Sequence, residues 1–359
     1  MKIENTDFSA VDELLRRSVT DGAFPGCAAA TGSLTGKPRF FTHGKLGNGL
    51  GPVQTRSLYD LASLTKVLGS TAVAMTLYRD GVLKLDQKVA DGYPPARDAP
   101  IGRSGATMEQ LLAHSSGLPT LPLFLEHPNY RDLLKAVIAT ELVHAPDERA
   151  FYTDLGMILF AECLVALSGL PLATLAWRQV YEPLQMRDTF YRPARTDLYR
   201  IAPTELDRNF RERLVHGEVH DENAYVLDGV AGQAGLFSTI EDVARFARAM
   251  LRGRFGQSDF LPGAVVERFT TRRGRPKGST RALGWDTPSE KKSSAGDLFS
   301  RRSFGHTGYT GTSIWIDPER AIFAILLSNR VHPSRDNLKI RAVRRKFHDT
   351  VIRCLNADS

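Results

Sequence analysis

No apolar run in the 359-residue chain approaches the roughly 20 residues that a membrane-spanning helix needs. The opening stretch MKIENTDFSAVDELLRRSV has no apolar signal core and reads as an amphipathic helix, which predicts a cytoplasmic protein with no membrane partner. Cysteine is scarce. Cys27, Cys163 and Cys354 are far apart and odd in number, with no CxxC and no Cys/His ligand spacing, so a disulfide framework and a structural zinc are both excluded. There is no internal repeat and no low-complexity segment. The net charge of +7 is modest for this length, and the densest basic stretch, KIRAVRRKFHDTVIR, carries Ile340, Val343, Phe347 and Val351 at helical spacing. That pattern predicts a helix with one buried face and one solvated basic face. Without a recognition module it does not point to nucleic acid.

What remains is a core-forming chain with 42% hydrophobic and 9% aromatic residues. Strand-like runs lie near both ends: CAAATG and RFFTHG early, TSIWI and AIFAILLS late, the last two flanking the turn DPER. Helical patterns fill the middle. DLGMILFAECLVALSG predicts a helix ending at Gly169, TMEQLLA opens with a capping box of Thr107 and Gln110, and STIEDVARFARAMLRG with one of Ser238 and Glu241. The predicted fold is therefore α/β of the α+β type. A central antiparallel sheet is built from both chain ends and flanked by helices (1–80 and 235–359), beside a mostly helical insert (81–234). Residues 271–302, polar and turn-rich, read as exposed loops or weak strands.

The segment DLASLTKVLGSTAVAMTLYRDG predicts one apolar helix ending at Gly81, with Ser63 three residues before Lys66 at its start. Residues three apart share a helix face, so the hydroxyl and the amine can touch. A serine needs a base within hydrogen-bond reach to act as a nucleophile. A lysine in the first turn of a buried helix is badly placed for structure. It is well placed for chemistry, because burial and the positive helix end both depress its pKa. A second Ser-x-x-Lys, Ser289 to Lys292, lies in a polar stretch with no apolar helix after it and reads as a solvated loop.

Two further segments, FYTDLG with Tyr152 and Asp154, and FGHTGYTG with His306, Thr307 and Gly308, follow in order, with LLAHSSGLP between the first pair of elements. Together these resemble the Ser-x-x-Lys, Tyr-x-Asn and Lys/His-Thr-Gly elements of the serine β-lactamase and penicillin-binding protein superfamily, class C-like branch. The resemblance runs from about Phe24 to Ser328. It implies a β-lactamase/transpeptidase-like fold and an acyl-enzyme formed on Ser63, with Lys66 and Tyr152 sharing the proton work and the acylation base open between them. It implies backbone oxyanion donors at Ser63 and Tyr309, with Gly308 small so that substrate lies against the strand, and it implies no cofactor. Asp154 stands where many class C enzymes have asparagine, and His306 where β-lactamases have lysine. Both departures point away from efficient β-lactam turnover.

The expected activity is thus hydrolysis of an ester or amide of a small substrate, carboxylesterase-like first, with a D-amino-acid peptidase or a β-lactamase as alternatives. Outside enzymes, the alternative is a non-catalytic homologue that binds a peptide-like ligand. The cluster HGEVHDENAY lacks the helical His-Glu-x-x-His spacing of zinc proteases. It reads as a hydrogen-bonded loop near the cleft, bringing His220, Asp221 and Asn223 there, and not as a metal site. Arg330, after the last strand, is a candidate anion contact. The sequence does not specify the natural substrate or the oligomeric state.

Overall fold

The computed structural model describes residues 3–357. Its main sheet has five antiparallel strands in the spatial order Arg39–Gly44, Gly26–Ser33, Ile322–Ser328, Ser313–Asp317, Phe304–Thr307. The two chain ends meet at its centre, where Ala29 pairs with Leu326 and Thr31 with Ala324. The Asp317–Ile322 turn closes the expected hairpin.

Strand alternation divides the interior in two. Ala28, Ala30, Phe323, Ile325 and Leu327 face a large core shared with the helix Ile240–Arg254 and the middle of the chain. Cys27, Ala29, Ala324 and Leu326 face a smaller core closed by the first helix, Ser9–Thr20, and the terminal helix, Ile340–Ala357. In the terminal helix Ile340, Val343, Phe347 and Val351 are all buried, as their spacing predicts. The Thr107–Gln110 capping box is present in full, and Gly169 ends the Asp154–Ser168 helix in the left-handed region.

Three expectations need correction. The helix predicted over residues 60–81 is segmented. Tyr59–Asp60 is a short strand paired with Phe237 and Ser238, Ala62–Leu64 is a 3₁₀ turn, Lys66–Thr71 is a π turn, and only Ala72–Arg79 is α-helical. The break falls at Ala62, whose φ of 47° no right-handed helix accommodates. The cap of the Ile240–Arg254 helix is Thr239, which accepts the Asp242 N–H, because Ser238 is held one residue earlier in a strand. Residues 271–302 are irregular but not simply exposed: Ala282, Leu283 and Trp285 are buried in the large core. Among the described residues no single helix is long and apolar enough to cross a membrane.

Candidate active site

Ser63 sits on the 3₁₀ turn, directly after the left-handed Ala62. Its Oγ lies 3.0 Å from Lys66 Nζ and 2.8 Å from the Tyr152 hydroxyl, so the candidate nucleophile and both candidate proton carriers meet. Lys66 is fully buried. It donates to Asp154 Oδ1 at 2.6 Å and to the Gln233 carbonyl at 3.2 Å. Burial is the largest influence on its pKa and pushes it down, but the charges of Asp154 and Tyr152 outweigh it and the net shift is upward. The expectation of a depressed lysine is thereby overturned: the carboxylate standing in the asparagine position holds Lys66 as an ammonium.

Tyr152 is ringed by other groups. His114 packs on it at 4.7 Å and His306 at 6.0 Å between centroids. Lys66 Nζ is 4.9 Å and the Arg281 guanidinium 5.0 Å from its ring centre. Burial pushes the phenol pKa up, with Lys66 pulling against it. His306 hydrogen-bonds through Nδ1 to the Thr307 carbonyl, which leaves Nε2 unpartnered. Burial, with Arg281 and Lys66 nearby, holds its pKa well below the ordinary value, so the ring is neutral.

Gly308 is required where it stands. A Cβ there would lie 2.0 Å from Thr312 Oγ1 and 2.5 Å from the Leu61 carbonyl. The end of the strand packs directly on the turn that carries Ser63, a steric reason for glycine in addition to the expected room for substrate. Thr310 and Thr312 donate from that side to the carbonyls of Asp60 and Leu61 at 2.8 and 2.9 Å. Among the described residues the N–H groups of Ser63 and Tyr309 donate to no protein acceptor.

Ser63, Tyr152, His306, Thr307, Gly308 and Tyr309 line a cleft of about 390 Å³. The sequence of the Beta-lactamase family matches residues 11–348. The chain belongs to the Beta-lactamase family. A relative in Escherichia coli strain K12, provisionally named D-alanyl-D-alanine carboxypeptidase, is 31% identical over 306 residues, 77% of this chain and 70% of its own. Two solved structures share the fold. One is a LovD6 mutant of simvastatin synthase from Aspergillus terreus, with TM-score 0.74 and 20% identity over 95% of this chain and 93% of that one. The other is a class C β-lactamase from Rhodobacter sphaeroides, with TM-score 0.74 and 19% identity over 96% and 99%. The family points to a hydrolase of the serine β-lactamase and penicillin-binding protein type.

In this Beta-lactamase family member the remaining predicted residues are distributed as follows. His220 is buried beneath Tyr309, with rings stacked at 5.6 Å, and burial lowers its pKa to about 3. Asp221 caps a short helix through the Ala224 N–H and accepts from Gln233. Burial and the nearby Asp154 raise its pKa to about 7. Asn223 clamps the 121–124 loop, accepting the Phe124 N–H and donating to the Leu121 carbonyl. Among the described residues no group of His, Cys, Asp and Glu is arranged to hold a metal ion. Arg330 lines the cleft, but three of its bonds go to the carbonyls of Tyr309, Arg335 and Asn337.

The sequence reading missed Arg281, Asp286, Arg341 and Arg344 in the same cleft. Two signals were present. ALGW inside the polar 271–302 stretch marks a buried anchor beside Arg281. Arg341 and Arg344 put positive charge in the first turns of a helix, where the dipole disfavours it. Arg344 donates to the Gly308 and Thr312 carbonyls, its Nε is buried and unpartnered, and burial with Arg330 and Arg341 lowers its pKa to about 9.

Proposed function

We propose that the protein hydrolyses an ester or amide bond through an acyl-enzyme on Ser63, and that the leaving portion of its substrate carries a carboxylate. The observation that supports this most is the cleft. The Ser63–Lys66–Tyr152 cluster opens onto Arg281, Arg341 and Arg344, against one carboxylate, Asp286. Cations that repel one another across a cleft are stabilised by an anionic ligand. The provisional name of the Escherichia coli relative, a carboxypeptidase, fits the same substrate class.

In this reading Tyr152 acts through the minor ionised fraction that the Lys66 ammonium supports against burial, and takes the Ser63 proton as Oγ bonds to the carbonyl carbon. Lys66, kept protonated by Asp154, stabilises the phenolate. The N–H groups of Ser63 and Tyr309 receive the oxyanion. Collapse of the tetrahedral intermediate breaks the scissile bond, and Tyr152 returns the proton to the leaving group. Water then attacks the acyl ester and passes a proton to the Tyr152 oxygen, which hands it to Ser63 Oγ as the ester bond breaks and the acid product leaves.

The test is a substrate pair: a D-alanyl-D-alanine peptide and its C-terminal amide, beside a neutral aryl acetate. The free acid is expected to have kcat/KM at least 10-fold above the amide. Ser63→Ala should abolish turnover of all three, and Ser289→Ala should change none. Turnover that survives Ser63→Ala refutes the nucleophile. Equal rates on acid and amide refute the anionic leaving group.

A further inference from the structure

Asp60 lies two residues before the left-handed Ala62 and is 2% exposed. Its Oδ1 accepts the Ala62 N–H at 2.8 Å, an Asx turn that fixes the backbone leading into Ser63. Its Oδ2 accepts the His220 N–H at 2.6 Å, from a loop 160 residues away. The His220 ring lies flat against Tyr309, 19° from parallel. The Asp60 carbonyl also accepts the Thr310 hydroxyl, from the residue after Tyr309. Asp60 therefore bonds through its carboxylate to the turn behind Ser63 and to the loop under the Tyr309 ring, and through its carbonyl to the Thr310 hydroxyl just beyond Tyr309.

We infer that Asp60 is a positioning residue that holds the backbone N–H groups of Ser63 and Tyr309 in register with each other. This rests on the acyl-enzyme reading above. Both groups facing the carboxylate are donors, so the residue must offer two acceptors. An asparagine offers one acceptor and one NH₂, and the NH₂ would meet an N–H head on. The nucleophile turn or the His220 loop would then shift, and one oxyanion donor would move off the developing charge. Misplacement of that kind penalises the transition state more than the bound substrate.

The experiment compares Asp60→Asn with wild type on an aryl ester and measures inhibition by an arylboronic acid, which forms a tetrahedral adduct on a nucleophilic serine. In Asp60→Asn kcat is expected to fall about 10–100-fold, KM to stay within 2-fold, and the boronate Ki to rise by the same factor as kcat falls. A kcat and Ki within 2-fold of wild type overturn the inference. So does a raised KM with unchanged kcat, the pattern of a merely structural group. Should Asp60→Asn fail to fold, Thr310→Val, which removes only the hydroxyl bonded to the Asp60 carbonyl, is expected to show the same kcat–Ki pattern at about 3–10-fold, and unchanged constants overturn the inference. Absence of turnover and of boronate inhibition in the wild type would instead refute the acyl-enzyme reading, so the two failures are distinct.

Discussion

Lysine at position 66 and aspartate at 154 form the ion pair on which the proposed chemistry turns. Lys66 is fully buried and Asp154 about a quarter exposed. With the carboxylate present the ammonium is the stable form. Asp154→Asn removes the charge that outweighs burial, so the Lys66 pKa is expected to fall. In wild type the ¹³Cε resonance of Lys66 should not titrate below its ordinary range, whereas in the variant it should titrate within reach of neutrality. A wild-type resonance that titrates near pH 7 would show Lys66 free to act as a neutral base. The variant should also lose about 3 kcal/mol of stability, the low end for a broken buried pair, because Asp154 is partly exposed and the buried ammonium keeps partial compensation. The roles proposed for Ser63, Lys66 and Tyr152 start from residues that were legible in the sequence, since a short motif carries them. The sign of the lysine shift was not legible, because it depends on a partner 88 residues away. Arg281 was hidden for a different reason: its segment has no periodicity, and only the buried Trp285 ties it down.

Elements with a strong period were readable to within a residue or two. The strands Gly26–Ser33, Arg39–Gly44, Ser313–Asp317 and Ile322–Ser328 and the terminal helix followed from their apolar patterns, and the Asp154–Ser168 helix from an apolar run ended by a glycine, whereas Phe304–Thr307 was not marked as a strand. Breaks inside a continuous apolar run were not readable, because burial on all sides erases the period that would reveal a change from α to 3₁₀ or π geometry. The turn at Ser63 is such a break. The strand end Phe304–Thr307 is joined to it so closely that Gly308→Ala tests the junction. The added Cβ must push Thr312 or the Leu61 carbonyl aside. We expect a loss of about 1–3 kcal/mol, as for other overpacked sites, together with at least a 10-fold fall in kcat/KM. Thermal melting and steady-state kinetics on the same sample check both. A variant as stable and active as wild type would mean that the junction yields freely. Farther from the site, Thr107→Ala should cost about 1 kcal/mol in melting experiments through loss of the capping box and leave KM unchanged.

For the molecule as a whole, buried titratable groups predict how stability follows pH. His114, His220, His306, His332 and His348 all have pKa values below the ordinary 6.5, chiefly through burial. The unfolded chain therefore binds more protons than the folded one as pH falls below about 6.5, and these groups destabilise the fold there. Asp60, Asp221 and Asp242, raised by burial to about 6, 7 and 6, act in the opposite sense between those values and about 4. The three acids offset only part of the effect of the five histidines, so melting temperature should already decline from pH 6.5 to 4. Below pH 4 the raised acids are protonated in both states and their effect ends. The lowered carboxylates Glu109, Asp147 and Asp207 then begin to lose their contribution, and the decline should steepen. A melting curve series across pH 3–8 that breaks near 6 and not near 4 would contradict this balance. The sheet carries a separate consequence, one of timing. The strand Gly26–Ser33 bonds to a partner 292 residues downstream. At a synthesis rate of about 5–20 residues per second, Gly26–Ser33 and its hairpin partner Arg39–Gly44 are made roughly 15–60 s before the central strand Ile322–Ser328. During that interval the backbone donors and acceptors on the edge of Gly26–Ser33 that faces Ile322–Ser328 in the finished sheet wait for that strand.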